Sequence, residues 1–112
     1  MPRNQPIRLP GGGPLSPEEA LKRALAAHEQ GDIKTADNLS RQLLLRFPHQ
    51  AEALYLRGII AHQQGKLSKA ESHLLHTIKV APTNPLGHGG LGVIRLTQGR
   101  LEDSVSLFKK AL

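Results

Sequence analysis

Three glycines recur at one spacing in this chain, and this constrains its fold more than any other feature. Gly31, Gly65 and Gly99 lie 34 residues apart, and each directly follows a glutamine. A fixed period of this length is the signature of a repeat protein, whose small units bury their apolar faces against their neighbours. Such an array offers surface to another chain rather than a catalytic pocket. The sequence therefore predicts a binding protein and not an enzyme.

The residues between these glycines predict helices. Ser16-Pro17-Glu18-Glu19 has the residue types of a capping box with proline in the first helical position. Apolar residues follow at helical spacing up to Gly31, and a second helix of this kind ends before Pro48. The same pattern restarts near residue 51 and again near residue 85. The sequence thus predicts an all-α chain of three antiparallel helix pairs.

Aligned by their period, residues 17–50, 51–84 and 85–112 form three rows, of which the third is incomplete. Small residues that recur at the same place in each row would let two antiparallel helices approach closely, and larger residues between them would fill the layer. Two columns of small residues are Ala24, Gly58 and Gly92, and Ala36, Ala70 and Ser104; two columns of larger residues are Ile33, Leu67 and Leu101, and Leu44, Ile78 and Leu112.

Residues 1–15 differ from the rest of the chain. This segment contains four prolines and the run Gly11-Gly12-Gly13. Prolines at this density cannot propagate a helix, and the segment has little apolar surface to bury. We therefore expect residues 1–15 to be a disordered tail.

The three rows resemble the tetratricopeptide repeat family, a helix-turn-helix unit of the same length. The small residues at the eighth and twentieth places of each row match the family, as do Pro48 and Pro82 near the row ends. The family's aromatic residue at the fourth place is missing, since Ala20, Leu54 and His88 stand there. The resemblance covers residues 17–112 and implies a right-handed α-solenoid that binds proteins or peptides.

In that family the first helix of each pair lines a concave groove. The resemblance implies that an amphipathic helix or an extended peptide binds an apolar stripe there; alternatively, some of these side chains only pack against adjacent helices. A carboxylate clamp and an asparagine ladder, which occur in some members, are both absent. The candidate binding residues carried over by position are Leu21, Leu25, His28, Tyr55, Leu56, Ile59, His62, Gly89, Gly90, Val93 and Leu96.

Other classes of function find little support. The net charge is +6, but the basic residues are scattered and aromatic residues make up only 3%, which argues against nucleic-acid binding. Gly87 to Gly92 contains the letters G-x-G-x-x-G without a preceding strand, so no nucleotide cofactor is predicted. His73 and His76 are three residues apart, yet no third ligand clearly joins them, and we predict no metal site.

Composition also bears on location. The chain contains no cysteine, which suits a reducing compartment, and no apolar stretch long enough to cross a membrane. The arginines at the N-terminus precede no apolar segment of the kind found in secretory signals. We therefore predict a cytoplasmic location and no membrane partner.

The last predicted helix has an apolar face that nothing in the sequence covers. Repeat arrays normally shield such a face with a polar capping helix. Either further repeats of a longer protein cover it, or two chains pair end to end or swap helices. The first possibility leads to an alternative function, that of an accessory N-terminal domain in a larger enzyme, such as a glycosyl- or sulfotransferase-like protein. The face consists of Leu101, Val105, Phe108 and Leu112.

Overall fold

A computed structural model describes residues 5–112. These residues form six α-helices and, apart from one isolated β-bridge, no strand. The helices pair in chain order, so the prediction of an all-α solenoid of helix pairs is confirmed. The helices are α1 (Pro17–Glu29), α2 (Ile33–Arg46), α3 (Ala51–Gln63), α4 (Leu67–Val80), α5 (Pro85–Thr97) and α6 (Leu101–Ala111).

The three periodic glycines form the turns inside the helix pairs. Gly31, Gly65 and Gly99 have φ angles of 82°, 77° and 76°. A side chain at this left-handed backbone conformation would be strained, whereas glycine adopts it at no steric cost. The 34-residue spacing is therefore the spacing at which the chain must reverse direction within each pair.

Local hydrogen bonds set where α1 begins. The Ser16 hydroxyl accepts a hydrogen bond from the Glu19 backbone N–H at 3.1 Å, and the Glu19 carboxylate accepts one from the Ser16 backbone N–H at 3.2 Å. These bonds to Ser16 also lower the pKa of Glu19, because they stabilise its ionised form. The capping box predicted from the sequence is thus present.

The helices form two layers. The odd-numbered helices contact one another in succession, α1 with α3 and α3 with α5, while each even-numbered helix contacts only odd-numbered ones within residues 5–112. Helices that contact each other lie closer together than helices that do not, so the odd-numbered helices form the more closely spaced layer. In a curved array the more closely spaced layer is the inner one. We call the solvent-facing side of α1, α3 and α5 the inner face.

Small residues allow close contact within the second and third helix pairs. A Cβ atom added at Gly58 would lie 2.7 Å from Leu74 Cγ, and one added at Gly92 would lie 2.8 Å from a ring carbon of Phe108. These distances are shorter than van der Waals contact, so a larger residue at either place would force Leu74 or Phe108 to move. The close approach that the column of small residues predicted is therefore observed.

Acidic and basic side chains join consecutive helix pairs. Asp37 of α2 pairs with Arg57 of α3, and Glu71 of α4 pairs with Arg95 of α5. All four side chains are at least partly buried. Asp37 and Glu71 stand at the same place in their rows, so the same kind of ion pair recurs at both junctions.

The N-terminal segment differs from its prediction. Ile7 is only 1% exposed and belongs to the core cluster that includes Ala20, Leu39 and Leu43. The Leu15 backbone N–H donates to the Ile7 carbonyl at 2.7 Å, which closes residues 7–15 into a loop. The expected disorder is thus not found in residues 5–15; the remainder of the predicted tail, residues 1–4, lies outside the described residues.

A side-chain amide holds this segment against α2. The Gln42 carbonyl oxygen accepts from the Arg8 backbone N–H at 3.0 Å, and the Gln42 amide donates to the Arg8 carbonyl at 2.7 Å. The core cluster that Ile7 joins includes Ala20, which occupies the place that Leu54 fills in the second row. Ile7 adds apolar volume beside this small residue. We call residues 5–15 the N-terminal strap.

Candidate functional site

The inner face carries an apolar stripe that runs across three helices. Val93 and Leu96 of α5 are 37% and 51% exposed, the highest values in the stripe. The stripe members on α1 and α3 are half-buried, and Leu21, Leu25 and Tyr55 among them pack against the core clusters. These half-buried members are Leu21, Leu25, Tyr55 and Ile59.

Two of the predicted binding residues do not face solvent. Leu56 is fully buried in the core cluster that contains Ala20 and Leu43, because it lies about 100° around α3 from Tyr55. Gly90 is buried between α5 and the second helix pair, where an added Cβ would lie 2.7 Å from Leu74 Cδ2. The prediction that Leu56 and Gly90 line the groove is therefore wrong.

Gly89 has a different environment from Gly90. A Cβ added at Gly89 would lie 3.7 Å from the Ala111 Cβ, which is ordinary van der Waals contact. Gly89 is partly exposed, so the structure leaves it accessible on α5. The adjacent glycines thus serve different purposes, and only Gly90 is required by close packing.

Polar groups lie beside the stripe. His62 Nε2 and the Thr97 hydroxyl are 2.8 Å apart, which joins α3 to α5. His28, at the same row position as His62, has a buried Nε2 atom that finds no hydrogen-bond partner among residues 5–112. The two histidines predicted at the inner face therefore differ, since His62 is engaged and His28 is not.

Tyr55 lies at the middle of the stripe and is half-buried. One edge of its ring approaches Gly90, at whose Cα an added Cβ would lie 3.3 Å from Tyr55 Cε1. Burial raises the pKa of Tyr55, because it disfavours the charged phenolate. A rigid ring with a polar end suits a residue that contacts both apolar and polar parts of a ligand.

The histidines on the second helix pair meet in a way that the sequence did not indicate. His76 Nε2 lies 3.3 Å from Nδ1 of His49, a residue of the loop between α2 and α3. Burial, reinforced by Arg57, His76 and Lys69, lowers the pKa of His73. Within residues 5–112 no three His, Cys, Asp or Glu side chains are grouped so that they could hold a metal ion.

A second depression lies on the other side of the array and was missed from the sequence. It has a volume of about 440 Å³. Three consecutive leucines, 43 to 45, make α2 apolar over more than one face, which is the signal that could have indicated it. The depression is lined by Asn38, Arg41, Gln42, Leu44, Leu45 and Arg57.

The outer side of α6 is apolar and exposed, as expected. Leu101 is 60% exposed, Val105 52% and Phe108 36%, while Leu112 at the end of the helix is fully exposed. Ser104, by contrast, is buried against α5. The four residues therefore form one solvent-facing stripe, which we call the α6 stripe. In the described part of the chain no helix is long and apolar enough to cross a membrane.

Comparison with known proteins identifies the family. The tetratricopeptide repeat model matches residues 21–85, which is more than half of the chain. The chain therefore belongs to the tetratricopeptide repeat family, as the three rows indicated. Proteins of this family are typically non-enzymatic repeat scaffolds, and membership supports a protein–protein interaction module.

Similar proteins share the repeat rather than the whole architecture. The chain is 30% identical over 70 residues to cellulose synthase operon protein C of Pseudomonas fluorescens (strain SBW25), covering 62% of this chain. It is 31% identical over 78 residues to tetratricopeptide repeat protein 37 of Xenopus laevis, covering 70% of this chain. It spans only 6% and 5% of the lengths of these two relatives.

A solved structure agrees with the fold. The crystal structure of MamA superimposes with a TM-score of 0.69 at 22% sequence identity, covering 86% of this chain and 56% of MamA. At this level of identity the match shows the fold alone.

Proposed function

We propose that the inner face binds a protein segment that presents apolar side chains on one side, an amphipathic helix above all. The observation that carries this proposal is the exposure of Val93 and Leu96 next to half-buried Tyr55 and Ile59 on a layer of three contacting helices. Exposed apolar side chains that form a continuous stripe indicate an interaction surface. The binding residues in this proposal are Leu21, Leu25, His28, Tyr55, Ile59, His62, Gly89, Val93 and Leu96.

The size of the face suits a short helix. Packed helices lie about 8 to 10 Å apart, so the axes of α1 and α5 are separated by roughly 20 Å across α3. A helix of about 14 residues has this length. It would place apolar side chains three or four positions apart against the stripe.

The experiment measures binding of amphipathic helical peptides of about 14 residues by fluorescence anisotropy. A displayed peptide library selected on the 112-residue chain supplies the probe. Leu96→Ser should weaken binding about tenfold, because an apolar interface anchor of this kind contributes roughly 1 to 2 kcal/mol.

The chain contains a matched control for Leu96. Leu45 on α2 is 52% exposed against 51% for Leu96, but it lies in the depression on the other side of the array. Leu45→Ser removes the same side chain at the same exposure and should leave the affinity unchanged. Equal effects of the two substitutions, or none from Leu96→Ser together with Val93→Ser, would refute binding at the inner face.

A second candidate is the accessory role in a larger enzyme assembly. The similarity to a much longer protein named for the cellulose synthase operon favours it. In that role the inner face would bind a segment of the enzyme itself. Peptides tiled along a glycosyltransferase of the source organism would then compete with the selected helical peptide, and failure of every tile to compete would contradict this candidate.

A further inference from the structure

The α6 stripe has the spacing of a helix-pairing surface. Its residues follow each other at intervals of four, three and four, which places them along one side of an α-helix. They are between 36% exposed at Phe108 and fully exposed at Leu112. The corresponding places on α4, which include Leu74 and Ile78, pack against the next helix pair. The α6 stripe thus stands at the row positions through which α4 contacts the next helix pair.

One residue distinguishes the α6 stripe from the two internal junctions. At both internal junctions an acid, Asp37 or Glu71, pairs with an arginine of the following helix. Val105 stands at the same place in the third row. The α6 stripe therefore lacks the carboxylate by which this chain joins one helix pair to the next.

The same residue argues against two copies stacked head to tail. In that arrangement α1 of one copy would cover the α6 stripe of the other, as α3 covers α2. Arg23 of α1 occupies the row position that Arg57 occupies in α3. Arg23 of the second copy would consequently lie against Val105, and a buried arginine without a carboxylate is unfavourable.

We propose instead that two copies of this chain pair through α6 in an antiparallel, two-fold symmetric arrangement. Such an interface places the same stripe on both sides and needs no other surface. The charges on α6 fit it, because Glu102 and Asp103 lie in the first turn and Lys109 and Lys110 in the last. Antiparallel pairing brings the acidic end of one helix to the basic end of the other.

The geometry selects one ion pair. Glu102 and Lys109 are seven residues apart, about two turns, and so lie on the same side of the α6 stripe at opposite ends. Matching sides face each other when two helices pair in opposite directions. Glu102 therefore meets the partner's Lys109, and the two-fold axis repeats this pair.

The interface is small. A helix of 11 residues is about 16 Å long, so the pair buries less surface than a standard permanent interface. The dimer should consequently be weak and depend on concentration. Sedimentation equilibrium of the 112-residue chain, from about 10 µM to about 1 mM, should show a mass that rises from monomer toward dimer.

A stripe variant and a neighbouring control test the location. Val105→Lys places a charge at the centre of the α6 stripe and should abolish the rise in mass. Ser106→Lys adds the same charge at an adjacent exposed residue outside the stripe and should retain it. Thermal unfolding followed by circular dichroism verifies that both variants fold.

A charge exchange tests the antiparallel direction. Glu102→Lys and Lys109→Glu should each weaken association at least about tenfold, and the double variant should restore it, because the pair is then only reversed. If only the repulsion between two positively charged chains mattered, Lys109→Glu would strengthen association, because it lowers the net charge of +6 on each chain. A monomeric mass at every concentration, masses above dimer, or no rescue in the double variant would overturn the proposal.

Discussion

Ile7 provides the sharpest test of the N-terminal strap. Its side chain is 1% exposed and packs in a core cluster with residues of α1 and α2. Ile7→Ala removes three carbon atoms from this cluster and leaves a cavity between the strap and the first helix pair. A substitution of this kind in a protein core costs about 2 to 5 kcal/mol of unfolding free energy.

This cost is a large part of the stability of a chain of this size, which is about 5 to 15 kcal/mol. For a domain of about 100 residues, each kcal/mol lowers the melting temperature by roughly 4 to 8 °C. A loss of about 3 kcal/mol should therefore lower it by roughly 12 to 24 °C. Urea unfolding monitored at the helical circular dichroism band measures the free energy directly.

The neighbouring residue supplies the control. Arg8 is exposed, and its contacts with Gln42 use backbone atoms that Arg8→Ala retains. Arg8→Ala should thus stay within about 0.5 kcal/mol of the unmodified chain. If Ile7→Ala also stays within this range, the N-terminal strap does not contribute to the core, and the packing of Ile7 in the cluster with Ala20 does not stabilise the chain.

Two further predictions rest on local geometry. Gly89→Ala should raise the unfolding free energy by about 1 kcal/mol, since helix propensity improves and its Cβ has space, whereas Gly90→Ala should lower it, because Leu74 occupies that space; a gain at both positions, measured by urea unfolding, would contradict this. The lowered pKa of His73 means that the unfolded chain takes up the proton first as the pH falls through about 6.5. Its contribution to stability is thus present above that pH and lost below it. His73→Gln should therefore reduce the drop in melting temperature between about pH 7.5 and pH 5, and an unchanged drop would count against it.

Much of the fold was predictable because the residues that form the turns recur at the same positions of each repeat. The positive φ of Gly31, Gly65 and Gly99 explains why glycine recurs at one spacing, and the capping box at Ser16 was evident from four letters. These features depend on local backbone geometry, which neighbouring residues determine. Because the same turn residues recur every 34 residues, the backbone geometry inferred for one helix pair applies to all three.

The N-terminal strap could not be predicted because its reason lies elsewhere in the chain. Prolines and glycines indicated a segment without a helix, which is correct, but docking depends on Ile7 meeting a cluster around Ala20 and Leu43. Contacts with distant residues also explain why Leu56 and Gly90 were wrongly predicted to line the groove. Family position placed them on the inner face, while contacts with the preceding helix pair bury them.

The third helix pair connects the two proposed surfaces. It carries Val93 and Leu96, the most exposed part of the inner face, and also the whole α6 stripe. In a repeat array each unit is stabilised mainly by its neighbours, and this pair contacts a neighbour on one side within the described structure. Its helix α5 is also rich in glycine, which favours unfolding.

Association through α6 would therefore act on the inner face without touching it. A second copy that covers the α6 stripe stabilises α6, and α6 in turn packs against α5 through contacts such as Phe108 with Gly92. A more ordered α5 presents Val93 and Leu96 to a peptide with less loss of conformational entropy on binding. By linkage, a peptide on the inner face would strengthen the pairing of the two copies to the same degree. The two proposals thus predict a coupling that neither surface would produce alone.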